Sequence, residues 1–248
     1  MSPSTIAVLK LSIVIPAYNE GATIGRTLRA LQASAIGNLY ELIVVDDGST
    51  DDTIALARQN GATVIPLPSN AGKGKALETG LGKACGDLIL TLDADLGETA
   101  GEALALVDAV ASGRADMAIA GLVRPAGVPP GGFGIASRLA ITGVQGLTSF
   151  RPLFPLSGQR AMTNGVRNAV LPLARGWGAE VGMTVDALRA GFHLVEVPTP
   201  ITHRYTGRSW EGFVHRGRQC RDVALALWER GWPQSTLDLH LRSRRWLS

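Results

Sequence analysis

The sequence is short of cysteine and has no long apolar run, and both shortages limit what kind of protein it encodes. Of its 248 residues only two are cysteines, Cys85 and Cys220, which lack metal-ligand spacing and cannot form a disulfide framework. A reducing compartment such as the cytoplasm is therefore expected. No apolar run reaches the roughly 18 residues that span a membrane, and residues 1–10 lack the charged-then-apolar order of a secretory signal.

The composition nevertheless provides enough apolar material for a large core. Hydrophobic residues make up 46% of the chain and charged residues 18%, which predicts an ordered protein. A length of 248 residues suits one large domain with a modest extension. We expect a catalytic domain over residues 1–209 and a basic, amphipathic helix and tail over residues 210–248.

Short β-rich runs alternate with helical patterns, which predicts an α/β fold with a mostly parallel, Rossmann-like central sheet, flanking helices and a helical C-terminal extension. The runs are almost wholly apolar, as in strands buried on both faces. The predicted strands are Leu11–Ile15, Glu41–Asp46, Thr63–Leu67, Asp87–Leu92, Asp116–Ala120 and Leu194–Val197. The predicted helices are Ala22–Ala33, Thr53–Asn60, Lys75–Cys85, Gly101–Ala111, Gly134–Leu147, Gly178–Ala190 and Trp210–Trp228.

Polar residues follow three of these strands directly. They lie in Pro16–Glu20, Asp46–Ser49 and Asp93–Asp95. Because open parallel sheets bind ligands beyond the carboxyl ends of their strands, we expect these segments to line a binding site. Asp93 and Asp95 are spaced to hold one hard divalent cation, Mn²⁺ or Mg²⁺, although an Asp pair at this spacing also caps helices.

A glycine-rich turn, Gly72–Lys75, leads into a predicted helix. Its backbone N–H groups and Lys73 could meet a phosphate or a ribose. The spacing of a Walker motif is absent, and a plain turn with solvated lysines remains the alternative.

These motifs together resemble the family 2 glycosyltransferases, inverting enzymes of the GT-A fold, and especially the dolichyl-phosphate mannose synthase branch. The resemblance covers roughly residues 11–230. It rests on the order of Ile15–Glu20, Val45–Asp51, Asn70–Ala76 and Asp93–Leu96 along the chain.

The resemblance implies a metal-dependent enzyme that moves a sugar from a UDP- or GDP-linked donor to an acceptor, here a polyprenyl phosphate. It implies that nucleotide-binding residues lie in the motifs quoted above, namely Pro16, Ala17, Tyr18, Glu20, Asp47, Gly72, Lys73, Asp93 and Ala94. It also implies that Asp93 and Asp95 hold the metal on the diphosphate.

Arginines are expected to grip phosphate on the acceptor side. Arg124 and Arg138 match two phosphate-binding arginines of the synthase branch, and Arg204 matches a third in a late Arg-x-x-Gly-x-Ser-Lys pattern. Trp210 stands where that pattern has lysine, which leaves the acceptor open. Arginine suits phosphate geometry, but a solvated helix face would also account for Arg138.

Two further residues have catalytic and structural interpretations. Glu180 lies at a helix start, where many enzymes of this fold place a carboxylate near the acceptor, so it is a candidate general base; a helix N-terminal glutamate is also favourable without catalysis. His203 resembles the late histidine that completes the metal shell in some relatives, although a lone histidine after a strand is often structural.

Three other functions compete with this one. A retaining transferase with a small anionic acceptor such as phosphoglycerate carries a similar late His-Arg pair, here His203-Arg204. A nucleotidyltransferase normally has a glycine- and arginine-rich loop where this chain has Pro16–Glu20. A non-catalytic binding module would not need both Asp93 and Asp95.

The carboxyl-terminal region combines aromatic and basic residues. Four tryptophans lie between Trp210 and Trp246, among many arginines. Such residues favour the headgroup zone of an anionic membrane, so we expect a peripheral contact with its inner face, against the alternative of a solvated helix and tail.

Overall fold

The computed structural model describes residues 9–34, 39–122, 134–201 and 210–233, and for residues 122 and 210–216 the backbone alone. In chain order the strands and α-helices are β1 Leu11–Ala17, α1 Ile24–Ala33, β2 Leu39–Asp46, α2 Thr53–Gln59, β3 Thr63–Pro66, α3 Lys73–Lys83, β4 Leu88–Thr91, α4 Leu104–Ala111, β5 Met117–Leu122, α5 Ile135–Thr148, β6 Arg160–Thr163, α6 Asn164–Val170, α7 Ala179–Arg189, β7 Leu194–Thr199 and α8 Trp210–Glu229. Short 3-10 helices cover Gly97–Ala103 and Gly176–Gly178.

The strands form one seven-stranded sheet in the order β3-β2-β1-β4-β6-β5-β7. All neighbouring pairs are parallel except those of β6, which runs antiparallel to both β4 and β5. The chain builds outward from β1 to β2 and β3, then returns to the other side of β1 with β4. This reversal places the loops after β1 and β4 at a topological switch point, where sheets of this kind bind ligands.

Alternate residues of the buried strands supply two cores, one on each face of the sheet. On one face, Ile13 and Ile15 pack with Leu28 of α1 and Leu106 of α4. On the other, strand residues including Val14 pack with α3, α6 and α7. Burial of each large aliphatic side chain contributes about 1.5–3 kcal/mol, so the continuous apolar strands are what makes the sheet stable between two helical layers.

A third, smaller core joins α8 to the rest of the molecule. Val223 and Leu227 of α8 are fully buried against Val144 of α5 and against Val181 and Val185 of α7. The apolar repeat seen in the sequence of α8 is therefore its docking face. The division of the chain at residue 210 stays a prediction.

The mostly parallel α/β sheet expected from the sequence is confirmed, and each predicted strand and helix has a counterpart within a few residues. Two elements were not predicted, β6 and α6. In the described parts of the chain, no helix combines the length and apolar character needed to cross a membrane.

Candidate active site

The loops after β1 and β2 are tied together at the edge of the sheet. Asn19 has a left-handed backbone with a φ of 53°. Its N–H donates to the Ser49 hydroxyl over 2.8 Å, and its side-chain oxygen accepts from the Thr50 N–H over 2.9 Å. The neighbouring Tyr18 is 46% exposed at this edge of the sheet. The arrangement gives the predicted nucleotide-binding segment Pro16–Glu20 a fixed shape.

Glu20 is held by its own loop and by α2. Its N–H donates to the Thr53 hydroxyl over 2.8 Å, and its carboxylate accepts from the Thr23 hydroxyl over 2.6 Å. Asp51 accepts from the N–H groups of Gly21 and Thr53. Burial raises the pKa of Asp51, but these hydrogen bonds outweigh it and hold the pKa below its ordinary value.

Asp47 holds the glycine-rich turn in place. Its two carboxylate oxygens accept from the N–H groups of Ala71 and Gly72 over 2.7 and 2.8 Å, and the residue is buried. Asp47 was expected to contact the nucleotide directly. The structure shows that it fixes the backbone from which α3 starts, and its contact with base or ribose stays a prediction.

The turn delivers Lys73 to the loop after β4. The ammonium nitrogen of Lys73 lies 2.7 Å from Asp93 Oδ1 and 3.0 Å from Glu180 Oε1. On its other oxygen, Asp93 accepts from the Gln159 side-chain amide over 2.7 Å. We call Lys73, Asp93, Gln159 and Glu180 the charged cluster. It joins four segments of the chain that are remote in sequence.

The charge state of Lys73 follows from these partners. Burial alone would lower the pKa of Lys73, but attraction to Asp93 and Glu180, with their hydrogen bonds, raises the pKa above its ordinary value. The ammonium also lies over the ring of Trp177, 5.4 Å from the centroid. Lys73 is therefore a fixed positive charge at the switch point.

Glu180 occupies the inner end of the charged cluster. It lies in the first turn of α7, is 1% exposed, and its Oε2 accepts no hydrogen bond from any residue that the structure describes. The N-terminal position favours its negative charge through the helix dipole. Its ionic partner is Lys73, so Glu180 belongs to the charged cluster, and its role as a general base stays a prediction.

Gly158 leaves room for the cluster. A Cβ at this position would lie 2.8 Å from the Lys73 ammonium and 2.9 Å from Asp93 Oδ1. Atoms this close would force the pair to move. The glycine therefore lets the pair occupy this position.

Thr27 of α1 holds the loop that carries Asp95 through hydrogen bonds. The buried hydroxyl of Thr27 donates to the carbonyl of Ala94 over 2.8 Å and accepts from the N–H of Gly97 over 2.9 Å. Asp93 and Asp95 are both partly buried at this loop. Two carboxylates held at one turn form a hard-oxygen donor set that fits a divalent cation. Within the described ranges, no group of three or more His, Cys, Asp or Glu side chains forms a complete metal shell.

The predicted residues on the acceptor side are less fully described. Arg138 is exposed on the first turn of α5. Arg124, His203 and Arg204 lie outside the described residues. Their proposed roles stay predictions.

The sequence interpretation missed Gln159, Arg160 and Trp177. All three contact or adjoin the charged cluster, and Gln159 and Arg160 are fully buried polar residues. The signal available for them was weak: a polar pair, Gln159-Arg160, placed directly after Ser157-Gly158 and before a short apolar run.

Comparison with known proteins agrees with this geometry. Residues 12–133 match the family model described as glycosyl transferase family 2. Glucosyl-3-phosphoglycerate synthase of Mycobacterium tuberculosis is 32% identical in an alignment of 255 positions, gaps included, that covers 92% of this chain and 76% of that protein. An undecaprenyl-phosphate 4-deoxy-4-formamido-L-arabinose transferase of Klebsiella pneumoniae is 40% identical in an alignment of 97 positions that covers 36% of this chain and 30% of that protein.

A solved structure of the mycobacterial synthase, in complex with Mn²⁺, UDP and phosphoglyceric acid, is 29% identical and has a TM-score of 0.75. The match covers 92% of this chain and 81% of that one. Another complex of the same enzyme contains Mg²⁺ and UDP. The chain belongs to glycosyl transferase family 2 and is a glycosyltransferase.

Proposed function

We propose that the chain transfers a sugar from a nucleoside-diphosphate sugar to a small anionic acceptor such as phosphoglycerate, with retention of anomeric configuration. The observation that carries this proposal is the extent of the likeness. The match to glucosyl-3-phosphoglycerate synthase extends over 92% of the chain, whereas the match to an undecaprenyl-phosphate transferase covers 36%. The sequence motifs alone favour a polyprenyl-phosphate acceptor, and the greater extent of the likeness to the synthase outweighs them in this proposal.

The donor site is proposed at the switch point, between the loops after β1 and β4. Asp95 and Asp93 would hold Mn²⁺ or Mg²⁺, because they form the hard-oxygen pair at this edge. A bound divalent cation neutralises charge on the diphosphate leaving group. Asp93 also contacts Lys73 and Gln159, so it would join the metal to the charged cluster.

Lys73 is proposed to act on the donor phosphates. Its side chain is 21% exposed, and two of its three N–H directions are taken by Asp93 and Glu180. The remaining direction and the exposed portion would face the bound diphosphate. A cation held in advance by two carboxylates stabilises the leaving group without reorganising during the reaction.

The position of Glu180 disfavours a role as the general base of an inverting transfer. A general base must come within hydrogen-bond reach of the acceptor hydroxyl. Glu180 is 1% exposed and 3.0 Å from the Lys73 ammonium, so its carboxylate is shielded from an incoming acceptor. We therefore propose that Glu180 orients Lys73. The acceptor anion would be bound by Arg138 with Arg124 and Arg204, as expected from the sequence.

A second candidate acceptor is a polyprenyl phosphate at a membrane surface. The observation that favours it is one exposed face of α8. Leu225 is 48% and Trp228 is 65% exposed, and Arg218 and Arg221 lie on the same face at helical spacing. Such a face could bind an anionic surface peripherally, from the cytoplasmic side.

Thermal unfolding with UDP or GDP, each with and without Mn²⁺, tests the donor half of the proposal. A ligand that binds only the folded state raises the melting temperature, and a concentration of about 100 times Kd adds about 2.7 kcal/mol to the free energy of unfolding. We expect a metal-dependent rise with one of these nucleotides. A flat response to both, with and without metal, would contradict a nucleotide-sugar donor.

A further inference from the structure

Arg160 is a charged residue placed wholly in the interior. It is the first residue of β6, lies opposite Thr91 of β4, and is 0% exposed. A buried guanidinium is unfavourable unless hydrogen bonds and opposite charges surround it. The proposed transfer reaction assigns no role to this residue, so its place in the core needs its own explanation.

The hydrogen bonds of Arg160 lead to the helix turn that carries Glu180. Its Nε donates to the carbonyl of Ser157 over 2.9 Å, and one terminal nitrogen donates to the Thr184 hydroxyl over 2.9 Å. That hydroxyl in turn donates to the backbone carbonyl of Glu180 over 3.0 Å. Arg160 is thereby docked against the first turns of α7.

The Arg160 guanidinium is electrostatically unfavourable at this location unless the negative charge of Glu180 lies nearby. The amino-terminal end of a helix carries partial positive charge, which opposes a guanidinium and favours a carboxylate. Burial lowers the pKa of Arg160 to about 10, and the charges of Glu180 and then Glu196 oppose that lowering. Arg160 and Glu180 therefore stabilise each other's charges.

Two cations act on Glu180: the Lys73 ammonium lies 3.0 Å from its Oε1, and the buried Arg160 attracts it through charge and is linked by Thr184 to its backbone carbonyl. Its Oε2 and the second terminal nitrogen of Arg160 are both buried, and neither makes a hydrogen bond to a described residue. Charge, more than hydrogen bonding, therefore holds this carboxylate. Along the series Asp93, Lys73, Glu180 and Arg160 the charges alternate in sign and sum to zero.

We infer that Arg160 is a positioning residue for the donor site: its charge and its link through Thr184 hold the Glu180 side chain turned towards Lys73, and so set the place of Lys73 and Asp93. It does this from the core, without touching a ligand. This inference builds on the proposed function, because the donor phosphates are what Lys73 is placed to meet.

Loss of the Arg160 charge would change the electrostatic attraction that acts on Lys73. The buried part of the series would carry one excess negative charge, and Glu180 would attract Lys73 more strongly. Lys73 would then be drawn from Asp93 and from the donor phosphates. The metal and nucleotide would bind more weakly, although neither contacts Arg160.

The test compares Arg160→Met and Arg160→Lys with a matched control, Arg167→Met. Arg167 is a partly buried arginine whose guanidinium donates to the carbonyls of Leu81 and Ala84 at the end of α3. Affinity for UDP and GDP with Mn²⁺ is measured by calorimetry. We expect Arg160→Met to weaken binding of the preferred nucleotide about tenfold or more, Arg160→Lys to recover most of it, and Arg167→Met to leave it within about twofold. Unchanged affinity in Arg160→Met, or no recovery in Arg160→Lys, would overturn the inference.

A stability cycle with Glu180→Gln tests the coupling without any ligand. If the two charges support each other, the double variant Arg160→Met/Glu180→Gln loses less melting temperature than the sum of the two single variants. Additive losses would overturn the inference. If Arg160→Met alone does not fold, a folded double variant supports the coupling and an unfolded one overturns it. The cycle distinguishes failure of this inference from failure of the proposed function, because it does not depend on nucleotide binding.

Discussion

Lys73 and Asp93 meet across the edge of the sheet, with the ammonium 2.7 Å from the carboxylate oxygen. Lys73 comes from the first turn of α3 and Asp93 from the loop after β4, so one contact links the glycine-rich turn to the proposed metal-binding loop. Glu180 holds the same ammonium from the side of the core. The proposed donor site is thus organised before any donor binds, which is the condition for electrostatic catalysis.

Lys73→Met should damage both stability and donor binding. It leaves two carboxylates near each other without their cation, and we expect the free energy of unfolding to fall by about 2 kcal/mol, less than for a fully buried pair. Nucleotide affinity should fall tenfold or more. The matched control is Lys75→Met, because the Lys75 side chain is 58% exposed and pairs only with Glu78 among described residues. Its change should stay below about 0.5 kcal/mol. Chemical denaturation gives the free energy of unfolding and calorimetry the nucleotide affinity. Equal changes in Lys73→Met and Lys75→Met would contradict the role of Lys73.

Asp93→Asn and Asp95→Asn should separate metal binding from support of the fold. Both variants are expected to lose the Mn²⁺ dependence of nucleotide binding, because each removes one hard carboxylate ligand. Asp93→Asn should also lower the melting temperature, since it weakens the contacts with Lys73 and Gln159. Manganese-dependent affinity at the wild-type level in both variants would show that the metal lies elsewhere.

Gly158→Ala adds one methyl group at the charged cluster. The new carbon would lie 2.8 Å from the Lys73 ammonium, so the Lys73–Asp93 pair has to move, and we expect stability to fall by about 1–3 kcal/mol with a parallel loss of donor affinity. Gly82→Ala is the control, because Gly82 lies on α3 with no atom within 4 Å of the added carbon. It should be neutral or gain up to about 1 kcal/mol. Normal donor affinity in Gly158→Ala would contradict the prediction that the added methyl group displaces the Lys73–Asp93 pair.

The pH dependence of stability should report on Asp51. Its pKa in the folded protein lies below its value in the unfolded chain, which is about 3.9. The stabilisation is therefore complete above that value and is lost as the pH falls through the lower folded pKa. Asp51→Asn should lower the melting temperature near pH 7, with a difference that shrinks below about pH 4. Asp52→Asn is the control, since the Asp52 side chain makes no capping hydrogen bond. If Asp51→Asn lowered the melting temperature by the same amount at every pH, this assignment would be contradicted.

Vesicle binding distinguishes the two candidate acceptors. With a small soluble acceptor, the chain should not sediment with vesicles of graded anionic lipid content at low or high salt. Salt-sensitive binding by the whole chain would instead favour the lipid phosphate. A chain ending at Gly231 locates any such contact: if shortening abolishes it, the contact lies beyond α8, and if Trp228→Ala abolishes it, the contact lies on the exposed face of α8.

Most of the fold was predictable because its strands are apolar and alternate with helices. β6 was not, since Arg160 opens it and a buried arginine in a four-residue strand looks like a surface residue in the sequence. The strand ends that carry Asp47 and Asp93 were predictable from the same alternation. Their contacts were not, because the partners of Asp93 are Lys73 and Gln159, which only the tertiary structure brings together.

The acceptor was the least predictable feature. The motifs from Ile15 to Leu96 describe the donor side, which transferases with different acceptors share. Arg124 and Arg204 suggest an anionic acceptor, and phosphate groups on a lipid and on a small acid present the same chemistry to arginine. Our proposal of a small anionic acceptor is supported by the extensive likeness to one enzyme and not by local motif chemistry.

The most direct test of the account is a transfer assay in which phosphoglycerate and a polyprenyl phosphate compete for the same labelled sugar. The chain is incubated with UDP- or GDP-linked sugar and Mn²⁺, and the label is followed into the aqueous and organic phases. The account predicts a water-soluble, phosphoglycerate-linked product whose anomeric configuration, read by NMR coupling constants, equals that of the donor. Label that enters only the organic phase, with inverted configuration, would contradict it.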